Sequence, residues 1–223
     1  MPTSSATLSL TKPRLRGVSH QWAFFVSLAL GAALVVAAPA GQPRLAAAIY
    51  ALSVAALFGT SALYHRITWS THAARRWMRR LDHSMIFFLI AGTYTPFALL
   101  VLDGDLATVI LIVVWAGALA GVLMKLVWID APKALVALTY IMLGWVALAA
   151  FPAMIEGLGV TASTLVAVGG LLYTVGALVY AFQRPDPVPK VFGYHEVFHA
   201  LVVGASVCLY AHVALVMRAS QGR

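Results

Sequence analysis

Two histidines and a glutamate, His195, Glu196 and His199, stand together in GYHEVFH at the head of a long apolar run. Histidines at i and i+4 leave one face of a helix and can ligate one ion, and H-E-x-x-H is the pattern of many zinc-protease helices. Such a protease uses the glutamate as general base and takes a third ligand from downstream. Here no Asp or Glu follows Glu196, and Val202 and Ala205 stand where the extended pattern places Gly and a third His. Glu196 also leaves a different helix face from the histidine pair, which suits pairing with a basic residue, snorkelling or an interaction with the helix N-terminus. The motif is better read as H-x-x-x-H, completed from another segment.

The remaining ionisable groups in apolar surroundings are His65, Asp82, His83 and His212. Within membrane spans such residues are rare and mark function by default. Ser61 and His65, in SALYH, are again i and i+4. His65, His195 and His199 as neutral imidazoles, with one water, would make a tetrahedral zinc site with an open position. Zinc lowers the pKa of such a water to about 7. Asp82 could hold that water or act as general base, and Ser61 could hydrogen-bond the water, Asp82 or a substrate oxygen. Calcium and magnesium prefer oxygen-rich sites, while ligand type alone leaves iron and copper open. His83 points about 100° around the helix from Asp82 and reads as a supporting or packing residue. His212 lies about 20 Å along the helix from His199, too far to share the site, and reads as interfacial. His20 and His72 lie near interfaces and carry no special reading. Cys208 is the lone cysteine, so neither an internal disulfide nor a cysteine metal motif is available.

These residues sit in a chain of 223 residues that is 62% hydrophobic and 10% charged, where a soluble domain has about 25% charged. Seven apolar runs reach the length of about 20 residues needed to cross a bilayer: roughly 20–38, 45–65, 82–102, 106–127, 133–152, 160–182 and 195–217. They are continuous rather than alternating, which argues against barrel strands. The expected fold is an all-α integral membrane protein, a seven-transmembrane helical bundle over 20–217 with tails at 1–19 and 218–223. The RPDPVPK stretch at 184–190 is a stiff connection. Gly169, Gly170 and Gly176 are expected to permit close helix packing, and Pro96 to kink the third span. Basic residues, an apolar run and APAG at 38–41 also resemble a secretory signal peptide, but the run is about 17 residues, long for a signal core.

The net charge of +8 invites a nucleic-acid reading; its distribution does not. Alternate segments between the spans carry 12 and 3 of the 15 Lys and Arg, which puts the N-terminus in the cytoplasm and the C-terminus outside. The basic face, richest at THAARRWMRR with Trp77 inside it and Trp69 just ahead, is expected to meet the anionic headgroups of membrane lipids. This topology brings His65, Asp82, His195 and His199 to one depth near the cytoplasm, although none of them entered the charge count. No charged stripe runs the length of a span, which disfavours a simple pore.

SALYH on span 2, LDHSMIFFLIAGTYTPFALL on span 3 and HEVFH on span 7 together resemble the bacterial hemolysin III proteins. These belong with the progestin and adipoQ receptors, including adiponectin receptors, and more distantly with alkaline ceramidases. The resemblance implies seven spans, the N-terminus inside, and zinc near the cytoplasmic side held by His65, His195 and His199. Asp82 would touch the zinc or its water, and Ser61 would be its polar neighbour; the chain departs at none of these five positions. For some members the family also suggests hydrolysis of lipid amides such as ceramides. The bacterial name comes from a cell-lysis phenotype, and a role in membrane-lipid homeostasis has been suggested. The leading expectation is a zinc-dependent hydrolase of acyl-lipid amides or esters in the cell membrane. The alternative is a non-enzymatic, zinc-clamped sensor, regulator or cytolytic protein.

Overall fold

The computed structural model describes residues 12–221; residues 1–11 of the expected N-terminal tail, and Gly222 and Arg223 of the C-terminal one, lie outside the described residues. Apart from one isolated bridge between Val188 and Phe192, the regular structure described is helical. The order is α1 (Val18–Ala37), α2 (Gln42–Arg66), α3 (His72–Leu100), α4 (Gly104–Val127), α5 (Lys133–Gly144), a 3₁₀ segment (Trp145–Ala150), α6 (Phe151–Phe182) and α7 (Tyr194–Ser220). Large apolar side chains such as Trp22, Val36, Leu52, Val127 and Phe182 face outward, as a lipid-facing surface requires.

α3 begins ten residues before the expected span. Thr71 caps it, its hydroxyl accepting the Ala74 N–H at 3.1 Å, and the basic stretch continues the helix instead of lying loose on the membrane. Arg76 and Arg79 share Asp130 at 2.7 and 2.8 Å, and Arg80 donates to the Leu126 carbonyl at 2.9 Å. The buried Lys125 donates to the Ile129 carbonyl at 3.1 Å. Much of this positive charge therefore stitches α3 to the end of α4, where cations suit the unpaired carbonyls and the helix dipole.

Among the described residues, six helical stretches are long and apolar enough to cross a membrane, the fifth being the 50 residues of Lys133–Phe182, which contains the expected spans 133–152 and 160–182. Straight, it would reach about 75 Å, over twice the hydrocarbon thickness of about 30 Å. It is not straight. Gly159 has φ 78° and ψ 174°, a backbone state that glycine adopts without steric cost. Trp145 Nε1 donates to Thr174 Oγ1 at 3.0 Å, across 29 positions, so the chain doubles back at Gly159. The 3₁₀ segment is held by Tyr94 of α3, whose hydroxyl accepts the Ala147 N–H at 2.6 Å and donates to the Gly144 carbonyl at 2.5 Å. Irregular backbone inside a membrane survives only with such partners.

α7 packs against α1, α2, α3 and α6. Fully enclosed small residues, among them Ala46, Ala47, Ala91, Ala98 and Ala205, let the helix backbones come close. Two of the three glycines expected to pack closely do so: Gly169 lies against Leu209 and Gly176 against Phe198. Gly170 has open space beside it and lines a cavity instead.

Candidate metal centre and its apolar cavity

The end of α2 and the start of α7 meet at one level. His65 lies in the last turn of α2, and His195 and His199 in the first two turns of α7. Local chemistry fixes where α7 begins. The Gly193 N–H donates to Glu196 Oε2 at 2.8 Å and the Tyr194 N–H to Asp186 Oδ1 at 2.8 Å. The other Glu196 oxygen pairs with Arg16. Of the alternatives open to Glu196, it thus takes a basic partner and the helix N-terminus, not snorkelling.

The three histidines are buried, at 6%, 8% and 2% exposure in chain order. His65 Nε2 and His195 Nε2 are 3.1 Å apart, and one ring nitrogen from each of the three lies within 4.8 Å of the others. Two ligands on a tetrahedral zinc with bonds of about 2.0–2.1 Å sit about 3.3 Å apart, so the spacing suits a shared ion. His199 Nδ1 is buried without a hydrogen-bond partner, a vacancy that buried polar atoms rarely tolerate. Three buried histidines able to hold a metal are therefore present, and an all-imidazole set fits zinc.

Asp82, in α3, is buried beside them, its Oδ2 at 3.8 Å from His65 Nε2 and 3.4 Å from His83 Nδ1. His83 is itself held: Nδ1 lies 2.9 Å from the Arg79 carbonyl and Nε2 3.2 Å from the Tyr180 hydroxyl. A carbonyl only accepts, so Nδ1 carries the proton and Nε2 accepts from Tyr180. His83 is thus fixed by Arg79 and Tyr180, and its ring stands beside Asp82. Ser61 lies one turn before His65, and its Oγ pairs with His20 Nδ1 at 2.8 Å.

His20 is the residue that sequence reasoning missed. It is 2% exposed, and its ring stacks on His199 at 3.7 Å with 13° between planes. The available signal was depth, since His20 opens the first apolar run at the level expected for His65. His212 is likewise buried, its Nδ1 donating to the Ala162 carbonyl at 3.1 Å.

The segment before α1 roofs the cluster. The Arg14 and Leu15 N–H groups donate to the Lys190 and Val191 carbonyls at 3.1 Å. Gly17 has φ 79°, and a Cβ placed on it would stand 2.6 Å from His65 Cβ. Gly17→Ala is therefore expected to destabilise the protein by about 1–3 kcal/mol through overpacking and to displace His65. Thermal unfolding of the purified variant, with metal content read alongside, checks this; wild-type values for both would contradict the close approach. Lys12 also lies at this end, its ammonium pKa lowered first by burial and then by Arg66, Arg16 and Arg75.

Two cavities adjoin the cluster. A small one of about 30 Å³ is lined by His20, Ser61, Asp82, His83, His195 and His199 among others. A larger one of about 210 Å³ is almost wholly apolar. Leu57, Ile86, Tyr140, Ala177, Phe198 and Val202 line both, so a single layer of side chains joins the polar site to a greasy chamber.

Comparison with known proteins agrees with these observations. A family model described as "Haemolysin-III related" matches residues 8–210. The "Hemolysin-3 homolog" of Bacillus subtilis (strain 168) is 32% identical over 162 residues, covering 73% of this chain and 72% of the relative. "Hemolysin-3" of Bacillus cereus is 30% identical over 162 residues, covering 73% of this chain and 70% of the relative. With its helices long and apolar enough for several crossings, the chain is a multi-pass membrane protein and belongs to the haemolysin-III-related family.

Proposed function

We propose that this protein is a zinc-dependent hydrolase of acyl-lipid amides or esters, acting in membrane-lipid homeostasis in the cell membrane. The observation that carries this reading is the three-histidine cluster with Asp82 beside it, walled from a large apolar cavity by shared side chains. His65, His195 and His199 would hold the metal. Zinc, when bound, supplies a Lewis acid and a water acidic enough to ionise near pH 7. Asp82 accepts a proton at its carboxylate, which lies beside the His65 and His83 rings. Ser61, set by His20, offers its oxygen to a substrate's polar group. The apolar cavity takes an acyl chain and keeps bulk water from the reacting end.

The arrangement in the membrane is seven crossings, with the N-terminus cytoplasmic and the C-terminus outside. The doubling back at Gly159 supports two crossings within Lys133–Phe182, and the 12-to-3 distribution of Lys and Arg supports the orientation. Anionic lipid headgroups would meet the cations not engaged elsewhere, such as Lys12 and Arg75, at the same end as the histidines.

Proteoliposomes loaded with zinc and containing ceramide or diacyl phospholipid test this. Mass spectrometry is expected to find free fatty acid released in proportion to protein. No release from either lipid class would sink the hydrolase. One observation favours a second reading, a zinc clamp without turnover: the 3.1 Å contact between His65 and His195 ties α2 to α7. Intact lipids, together with leakage of an entrapped dye, would point to the clamp in a lytic protein, the activity that the name of the Bacillus cereus relative suggests.

A further inference from the structure

The large cavity extends well beyond the histidine cluster. Its wall includes Phe198, next to His199, and His212, thirteen residues further along α7 than His199, or about 20 Å along the helix. Nearly every polar side chain on that wall is occupied. Thr93 and Thr174 donate to carbonyls of their own helices. Tyr94 bridges Gly144 and Ala147, and Tyr140 donates to the His83 carbonyl. Trp145 donates to Thr174, and Tyr173 pairs with Ser206.

His212 is the exception. Its Nδ1 faces the Ala162 carbonyl, which can only accept, so Nδ1 carries the ring proton. Among the described residues no ion pair involves His212. Nε2 is then a bare acceptor, and among the described residues no donor reaches it. A single water is a poor answer, because a buried water needs two to four polar partners and the hydroxyl protons of Thr93, Tyr94, Tyr140 and Thr174 are already given to carbonyls. A hydroxyl fixed to an apolar chain has no such need: the chain fills the cavity and the hydroxyl meets Nε2.

We propose that His212 is a specificity-determining residue: it selects acyl chains that carry a hydroxyl group far from the carbonyl presented to the histidine cluster. The proposal rests on the reading that the cavity holds the acyl chain of the substrate. Its test is binding, not turnover. The zinc-loaded protein in lipid nanodiscs is titrated with hexadecanoic acid and with 16-hydroxyhexadecanoic acid, each displacing a fluorescent fatty acid. The wild type is expected to favour the hydroxylated chain about tenfold, the scale of one buried hydrogen bond. His212→Leu is expected to erase that preference while keeping the affinity for hexadecanoic acid. Equal affinities in the wild type, or a preference that survives in His212→Leu, would overturn the proposal. If the variant does not fold, hydroxyl position in the wild type decides: 2-hydroxyhexadecanoic acid should gain nothing over the plain chain, and an equal gain from both hydroxyl positions overturns the proposal. If neither plain nor hydroxylated chain binds, the acyl cavity itself is wrong, and the proposal falls with it.

Discussion

Elemental analysis of the purified wild type is expected to find close to one zinc per chain, and His199→Ala close to none. His199 is the most enclosed of the three histidines at 2% exposure, and its Nδ1 has no other partner. Its replacement removes one of three protein ligands. Loss of a mere supporting contact around a metal typically costs 10–100-fold in affinity, and loss of a ligand should cost more. Because His199 also stacks on His20, the alanine variant should be checked for folding by its unfolding temperature without metal. A well-folded wild type that takes up no zinc, even when metal is supplied, would leave only a polar cluster packing α1, α2 and α7.

The second large effect is expected at Asp82. Asp82→Asn keeps the side-chain volume in a site that is only 8% exposed but removes the proton acceptor. Positioned acid–base groups contribute about 10²–10⁴-fold, so release of fatty acid should fall by at least about 10²-fold. Zinc content should stay near the wild-type value, because Asp82 lies 3.8 Å from His65 Nε2 and three imidazoles remain. Loss of both zinc and turnover would make Asp82 a ligand first. Unchanged turnover would take it out of the chemistry.

The histidine cluster was legible in the sequence for a physical reason. The i, i+4 spacing fixes two ligands on one helix face without tertiary knowledge, and the charge asymmetry of the linkers set a depth that His65 and Asp82 share. His20 was not legible, because a lone histidine at the edge of an apolar run looks the same whether it faces headgroups or a neighbouring helix. Only the packing of α1 against α7 distinguishes the two. The start of α3 was missed because cations usually end a membrane span; here Asp130 and the carbonyls at the end of α4 absorb them. Gly170 and Gly169 are adjacent, yet one meets Leu209 and the other a cavity, a difference that composition alone does not carry. Ser61 is expected from the sequence to meet the water, Asp82 or a substrate oxygen; its partner in the fold is His20 of α1, which spacing within α2 does not reveal.

The histidines of the cluster come from distant parts of the chain: His65 and His195 touch across 130 positions. At a synthesis rate of roughly 5–20 residues per second, roughly 6–26 seconds separate the appearance of the first histidine from that of the others. During that interval His65 and Asp82 are already committed to apolar helices, with none of the α7 partners that later surround them. Nascent chains that stall before α7 would thus hold His65 and Asp82 inside the bilayer with only each other and His83 for polar company.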